Sequence, residues 1–410
     1  MATLHPFRAL RPNPTHAARI AAVPYDVVST DEARALAEGN PLSFLRVSRA
    51  EIELNPGADP YAAEVYQQAA KNFDVLRKTA LVIEDEPSVY FYRLQMGRHV
   101  QTGLAACFSI DEYDRDVIRK HERTRRDKED DRTRHMIALG AQTGPVFLTY
   151  RAADEVDSLA ARATEGEPII DFDAPDGVHH TIWRVGGADR GALVAAFRRI
   201  PALYIADGHH RAASAARART EMRDRGLPGT SLCDGADRST FLAVAFPHNQ
   251  VQILPYNRTV KDLGGLAPDE LLDAVRDRFE LKAGPASPGK RGDIAMYVNG
   301  AWHTLCPRVP PADSDAIGSL DVSVLQEHLL APILKIADIR TDKRIDFVGG
   351  ARATGELEKL VDSGRAAVAF SLFPVSVADL MAVSDAGEIM PPKSTWFEPK
   401  LRDGLLIHVI

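Results

Sequence analysis

Asp207-Gly208-His209-His210-Arg211 puts a carboxylate, a glycine, two imidazoles and a guanidinium within a few residues of one another. Imidazoles and guanidinium donate hydrogen bonds, and a helix N-terminus adds free N–H groups and a positive dipole end, so the segment suits phosphate. Residues 201–206 ahead of it read as a short buried strand, and an Ala-rich helix follows over 210–225. Asp207 at the junction can cap the helix, bind a metal or act as a base, and Gly208 permits a tight turn or close approach of a ligand. A capped, solvated helix start is the plain alternative. A two-histidine zinc site is disfavoured, because adjacent histidines point about 100° apart on a helix and no Cys or His follows at ligand spacing.

A second segment is dense in charge: from Arg115 to Arg134 there are nine Lys or Arg and six Asp or Glu. As one helix it would align His121, Arg125, Lys128, Arg132 and His135 on a broad face, with Glu122 and Glu129 beside it. It reads either as a solvated helix laced with salt bridges or as a lid or cleft wall. In the second case its basic groups pair with phosphate while Glu122 or Glu129 acts as base or binds magnesium. The spacing is not His-Glu-x-x-His, which removes a zincin. A third segment, Met390 to Lys400, is stiffened by Pro391, Pro392 and Pro399. Lys393, Ser394 and Thr395 can contact phosphate or a small zwitterion, and Trp396 and Phe397 can stack on a base, unless the loop is only a packed connector. Asp26, at the end of a strand-like run over 23–29, fits a substrate or magnesium contact or a turn. Gly284 to Lys290 imitates a P-loop, but Arg291 replaces the Ser or Thr, and Pro285 and Pro288 remove N–H groups that would cradle phosphate.

Around these segments short strands alternate with helices. Strands are expected over 88–96, 101–110, 146–150, 168–172, 181–185, 240–246, 251–256 and 366–373, and helices over 30–37, 61–76, 269–279, 322–330, 354–361 and 377–383. Hairpins are expected at Gly97-Arg98-His99 and, between strands over 293–298 and 301–306, at Asn299-Gly300. The fold class is therefore α/β (α+β) with mixed sheets. The 410 residues, 45% hydrophobic, allow two or three domains, divided here at 1–150, 151–260 and 261–410. No run approaches the roughly 18 apolar residues of a membrane span, and the first residues lack the apolar core of a secretion signal, so a cytoplasmic protein with no membrane partner is expected. Cys107, Cys233 and Cys306 lack Cys-x-x-Cys spacing and read as passive thiols. The net charge of −7 disfavours nucleic acid. A homo-oligomer is left open.

Val23-Pro24-Tyr25-Asp26, Lys120 to Thr124 with Lys128 to Arg132, Ala206 to Arg211, Leu254-Pro255-Tyr256-Asn257-Arg258 and Met390 to Lys400 together resemble a bacterial family of ATP-dependent free serine kinases. That family was formerly a domain of unknown function. The resemblance implies a ParB/sulfiredoxin-like nucleotide site and transfer of the γ-phosphoryl of ATP to the hydroxyl of free L-serine, giving O-phospho-L-serine. It implies ATP as donor and Mg2+, held by Asp207 or Glu129. Under it, Gly208, His209, His210, Arg211, His121, Arg123, Thr124, Lys128 and Arg132 bind nucleotide or phosphate. Glu122, Glu129 and Asp207 are then catalytic, and Asp26, Lys393, Ser394, Thr395 and Trp396 contact substrate. The rivals are a nucleotide-dependent ParB-like binding switch and a kinase of another small hydroxyl compound.

Overall fold

The computed structural model describes residues 2–55, 57–227, 239–312 and 315–410. Cys233 and most of the loop expected over 226–237 lie outside them. The chain divides into two compact units: Met1–Lys120, Thr124–Val251 and Pro399–Ile410 form the first, and His121–Arg123 with Gln252–Glu398 form the second. No helix among the described residues is long and apolar enough to cross a membrane.

Unit 1 is organised by a nine-stranded mixed sheet. Its strands are β1 (Leu4–His5), β2 (Val89–Met96), β3 (His99–Ser109), β4 (Ile118–Arg119), β5 (Val146–Tyr150), β6 (Ile170–Asp173), β7 (Val178–Val185), β8 (Leu203–Asp207) and β9 (Thr240–Pro247). The order is β4-β8-β5-β9-β3-β2-β7-β6, with β1 paired to β3. The β2–β3 hairpin closes through Gly97-Arg98 with Met96 opposite His99. Every residue of β9 is buried, as expected of a central strand covered on both faces. Phe91, Phe108, Leu148, Phe197, Ile205 and Phe241 belong to the main core.

The charged segment is neither one helix nor a solvated one. It begins as β4, turns, and becomes helical only over Arg126–Leu139. His121 and Arg125 therefore precede the helix, and no single face carries them with Lys128, Arg132 and His135. Asp131, Thr133, His135, Met136 and Leu139 are buried. The reason is the partner helix His209–Asp224, whose Ala212, Ala213, Ala215 and Ala218 leave room for close approach. Ser214 Oγ donates to the Glu129 carbonyl at 3.1 Å across this contact.

Residues 23–29 do not form the expected strand. Pro24 lacks an N–H for a ladder, and its carbonyl accepts from Val27 N at 3.2 Å, closing a turn over Tyr25 and Asp26. The helix after it, Thr30–Ala37, starts as expected, with Ser29 and Glu32 forming a capping box.

Unit 2 holds a six-stranded antiparallel sheet made of β10 (Tyr256–Val260), β11 (Phe279–Ala283), β12 (Ile294–Val298), β13 (Ala301–Pro307), β14 (Ile345–Gly349) and β15 (Val368–Leu372), in the order β11-β13-β12-β15-β10-β14. Asn299 and Gly300 have φ of 50° and 76°, as a type I′ turn requires. The single strand expected over 251–256 breaks at Pro255: Gln252–Leu254 pairs with Trp396–Glu398, while β10 enters the main sheet. The helix expected to reach 279 stops at Arg276, and Phe279 opens β11 instead.

Gly103 in β3 is a sensitive point of the unit 1 sheet, since a Cβ there would lie 2.7 Å from the Phe246 ring and from Val244. Gly103→Ala is expected to lower stability by about 1–3 kcal/mol in urea unfolding; an unchanged midpoint would show that this packing is loose.

Candidate functional site

The strand, glycine turn and helix expected around Gly208 form in unit 1. β8 ends at Asp207 after a register shift between Ile205 and Asp207, and Gly208 takes φ 93°, ψ 28°, immediately ahead of His209–Asp224. The left-handed conformation favours glycine, and a Cβ at 208 would lie 3.0 Å from Arg211 Nε. Gly208 is the N-cap residue, and no side chain caps the helix. Asp207 is not a cap: its Oδ2 accepts from Lys400 Nζ at 2.9 Å and its Oδ1 lies 3.8 Å from Arg211 Nη2.

Arg211 is the centre of the arrangement. It is only 5% exposed, its Nη1 donates to the Pro145 carbonyl, and its Nε has no hydrogen-bond partner among the described residues. Burial alone would push the guanidinium toward neutrality, but Asp26, then Asp207 and Asp403, hold it protonated. Burial likewise opposes ionisation of Asp207, yet Lys400 and then Arg211 keep that carboxyl well below the usual range. Asp403 behaves oppositely. Burial, reinforced by Asp26 against Arg211, lifts it to about 7, and its Oδ1 has no hydrogen-bond partner among the described residues. Asp26 is the exposed carboxylate of the group.

A second layer fixes the turn that carries Asp26. The Arg132 guanidinium lies 4.1 Å from the centre of the Tyr25 ring and meets Asp131 through Nε at 2.9 Å and Nη2 at 2.8 Å. Tyr66 Oη donates to the same Asp131 at 2.9 Å. His135 donates through Nε2 to the Val47 carbonyl at 2.9 Å, and burial, then Arg132, pushes its pKa down to about 4, so it is neutral. Arg132 thus serves the scaffold around Tyr25.

The remaining expected residues fall into both units. In unit 1, His210 Nε2 accepts from the Arg125 amide at 3.0 Å, which assigns its proton to Nδ1. Lys128 Nζ donates to Tyr61 Oη at 2.7 Å. Glu129 accepts from Thr124 Oγ1 and pairs with Arg217 at 3.2 Å. In unit 2, Thr395 Oγ1 lies 3.4 Å from His121 Nε2, and Ser394 Oγ donates to the Pro391 carbonyl at 2.6 Å. Lys393 adopts φ 59° with Nζ 5.6 Å from the centre of the Tyr256 ring, and the Trp396 ring lies 5.1 Å from Tyr256. Glu122 and Arg123 line a cleft of about 380 Å³ with Arg340, Glu388 and Met390.

Asp207 is paired with Lys400 and Glu129 with Arg217, so these two carboxylates do not fit a resident magnesium site. Sequence reasoning assigned no role to Lys400 and did not single out Asp403. The available signal was charge inside an apolar tail: Arg402 and Asp403 interrupt a run from Leu401 to Ile410 in which every residue is buried.

Residues 4–323 match the family described as Protein of unknown function (DUF1015). The chain belongs to this family. The match ends before Lys400 and Asp403. Among solved structures, the chain is similar to a conserved hypothetical protein from Pyrococcus furiosus at 12% identity, over 74% of this chain and 95% of that one, with a TM-score of 0.36. It is also similar to a free serine kinase in complex with AMP at 12% identity, over 73% and 92%, TM-score 0.36. A third is SbnI with C-terminal truncation from Staphylococcus aureus, at 12% identity over 74% and 87%, TM-score 0.39. No curated protein sequence matches.

The raised pKa of Asp403 has a testable sign. Between its ordinary value near 4 and about 7, the folded state holds a proton that the unfolded state has lost, so this contribution to stability is lost as pH rises through that window. Asp403→Asn should therefore gain on the wild type by about 2 kcal/mol between pH 5 and pH 8 in urea unfolding. A gap independent of pH would place the ionisation elsewhere.

Proposed function

We propose that the chain is an ATP-dependent kinase acting on a small hydroxyl compound, with free L-serine as acceptor and O-phospho-L-serine as product. The observation that carries the reading is Arg211: a buried guanidinium held charged, with Nε unused, beside a left-handed glycine at a helix N-terminus. That combination is an anion site built into the fold. The motif resemblance described above supports the choice of nucleotide and of serine.

In this reading the N–H groups at the start of the helix His209–Asp224 hold the phosphates, together with Arg211 and His210. Lys400 exchanges Asp207 for phosphate oxygen as the nucleotide arrives. Asp26, the exposed carboxylate, takes the proton of the acceptor hydroxyl. The acceptor oxygen forms a bond to the γ-phosphorus, the bond from that phosphorus to the β,γ-bridging oxygen breaks, and ADP leaves with the electron pair.

The test is an assay of the full chain with ATP, magnesium and a panel of free hydroxy amino acids, reading nucleotide product and phosphorylated acceptor together by mass. Phosphoserine with ADP in equal amounts is expected. Asp26→Asn should lower turnover about 10²-fold while ATP still binds. ATP binding with no phosphorylated product from any acceptor favours the nucleotide-dependent binding switch and overturns the kinase reading.

A further inference from the structure

Unit 1 carries a cleft of about 150 Å³ that the phosphate chemistry leaves unused. Its lining combines apolar Val23, Leu45, Phe172 and Ala174 and exposed Ala18 with polar Asn40 and Ser43, and it includes the buried cation Arg402 with its partner Asp176. The Phe172 ring stacks on His180 with centroids 5.2 Å apart and planes at 20°. Arg402 is 4% exposed, donates through Nε to His180 Nε2 at 3.2 Å and pairs through Nη2 with Asp176. Burial, then Arg402, keeps His180 neutral, so the wall behind Phe172 carries no charge of its own.

The cleft and the Arg211 group share a backbone. Ala22 and Asp403 exchange two hydrogen bonds, Ala22 N to Asp403 O at 3.2 Å and Asp403 N to Ala22 O at 2.9 Å. The next residue from Ala22, Val23, and the residue before Asp403, Arg402, line the cleft. Asp403 itself, and Asp26 three residues beyond Val23, act on Arg211. One short stretch of paired chain therefore borders the cleft and also leads to two of the carboxylates that act on Arg211. A space of roughly this size accepts one flat ring, as engineered cavities of about 150 Å³ accept benzene. A pocket lined mostly by apolar residues with a few placed polar groups is the usual form of a small-molecule site.

We infer that this cleft takes the nucleobase of the nucleotide whose phosphates lie on Gly208–Arg211, with the ring against Phe172 and Leu45 and its polar edge toward Arg402. The inference rests on the kinase reading. It is tested by calorimetry on the full chain with two probes, ADP and inorganic tripolyphosphate, which offers phosphates without a base. Wild type, Ala18→Phe and Phe172→Ala are compared, with thermal unfolding of each to establish that it is folded.

Ala18→Phe narrows the slot from an exposed position and should weaken ADP about tenfold while tripolyphosphate stays within about twofold. Phe172→Ala should show the same selectivity. ADP affinity unchanged in both variants, or ADP and tripolyphosphate weakened alike, overturns the nucleobase site and leaves the kinase reading standing. A wild type that binds neither probe overturns both. Should either variant fail to fold, wild-type affinities for ADP and pyrophosphate decide: a base that adds nothing to pyrophosphate overturns the site.

Discussion

A charged guanidinium in a protein interior is the constraint around which unit 1 is arranged. Removing such an ion from water costs several kcal/mol even after relaxation. Here Asp26, Asp207 and Asp403 surround Arg211 and hold it charged. Three ionised carboxylates would over-balance one cation, and the excess is handled in two ways: Lys400 pairs with Asp207, and Asp403 is held mostly as the neutral acid below pH 7. The group is therefore close to charge balance without a ligand. In the proposed kinase, an arriving phosphate displaces an anion, and the Asp207–Lys400 pair is where that exchange is placed.

Other features follow from the need to keep these groups in register. Gly208 is left-handed where a side chain would press on Arg211, and the Pro145 carbonyl fixes one guanidinium nitrogen. The turn bearing Asp26 is held from behind by Tyr25 under Arg132, Arg132 on Asp131, and Asp131 on Tyr66. Arg132, Asp131 and Tyr66 are bonded to one another, which is how a buried polar network gains rigidity. The apolar slot around Phe172 adds a flat surface to the same backbone.

Much of the local structure was legible because it depends on near neighbours. Ser29 with Glu32, Gly97-Arg98 and Asn299-Gly300 carry their own cap and turn chemistry, and the succession of strand, Gly208 and helix is written in the local sequence. What could not be read depends on distant chain. Lys400 reaches Asp207 across 193 residues. Arg126 to Leu139 looks solvated by composition and is half buried because the Ala-rich helix His209–Asp224 and the helix Ala63–Thr79, both distant in sequence, pack on it. Residues 23–29 have strand-like composition, but Pro24 and the buried Tyr25 make them a turn. The charges of Arg402 and Asp403 in the apolar tail after Lys400 mark it as unusual, but its return to unit 1 is invisible to periodicity.

The most direct measurement is a crystal structure of the full chain with a non-hydrolysable ATP analogue. The account predicts phosphate oxygens within hydrogen-bond distance of the Arg211 guanidinium and of the N–H groups at the start of the helix His209–Asp224, with Lys400 moved from Asp207 toward them. Phosphates bound away from Arg211, with the Asp207–Lys400 pair intact, would contradict it.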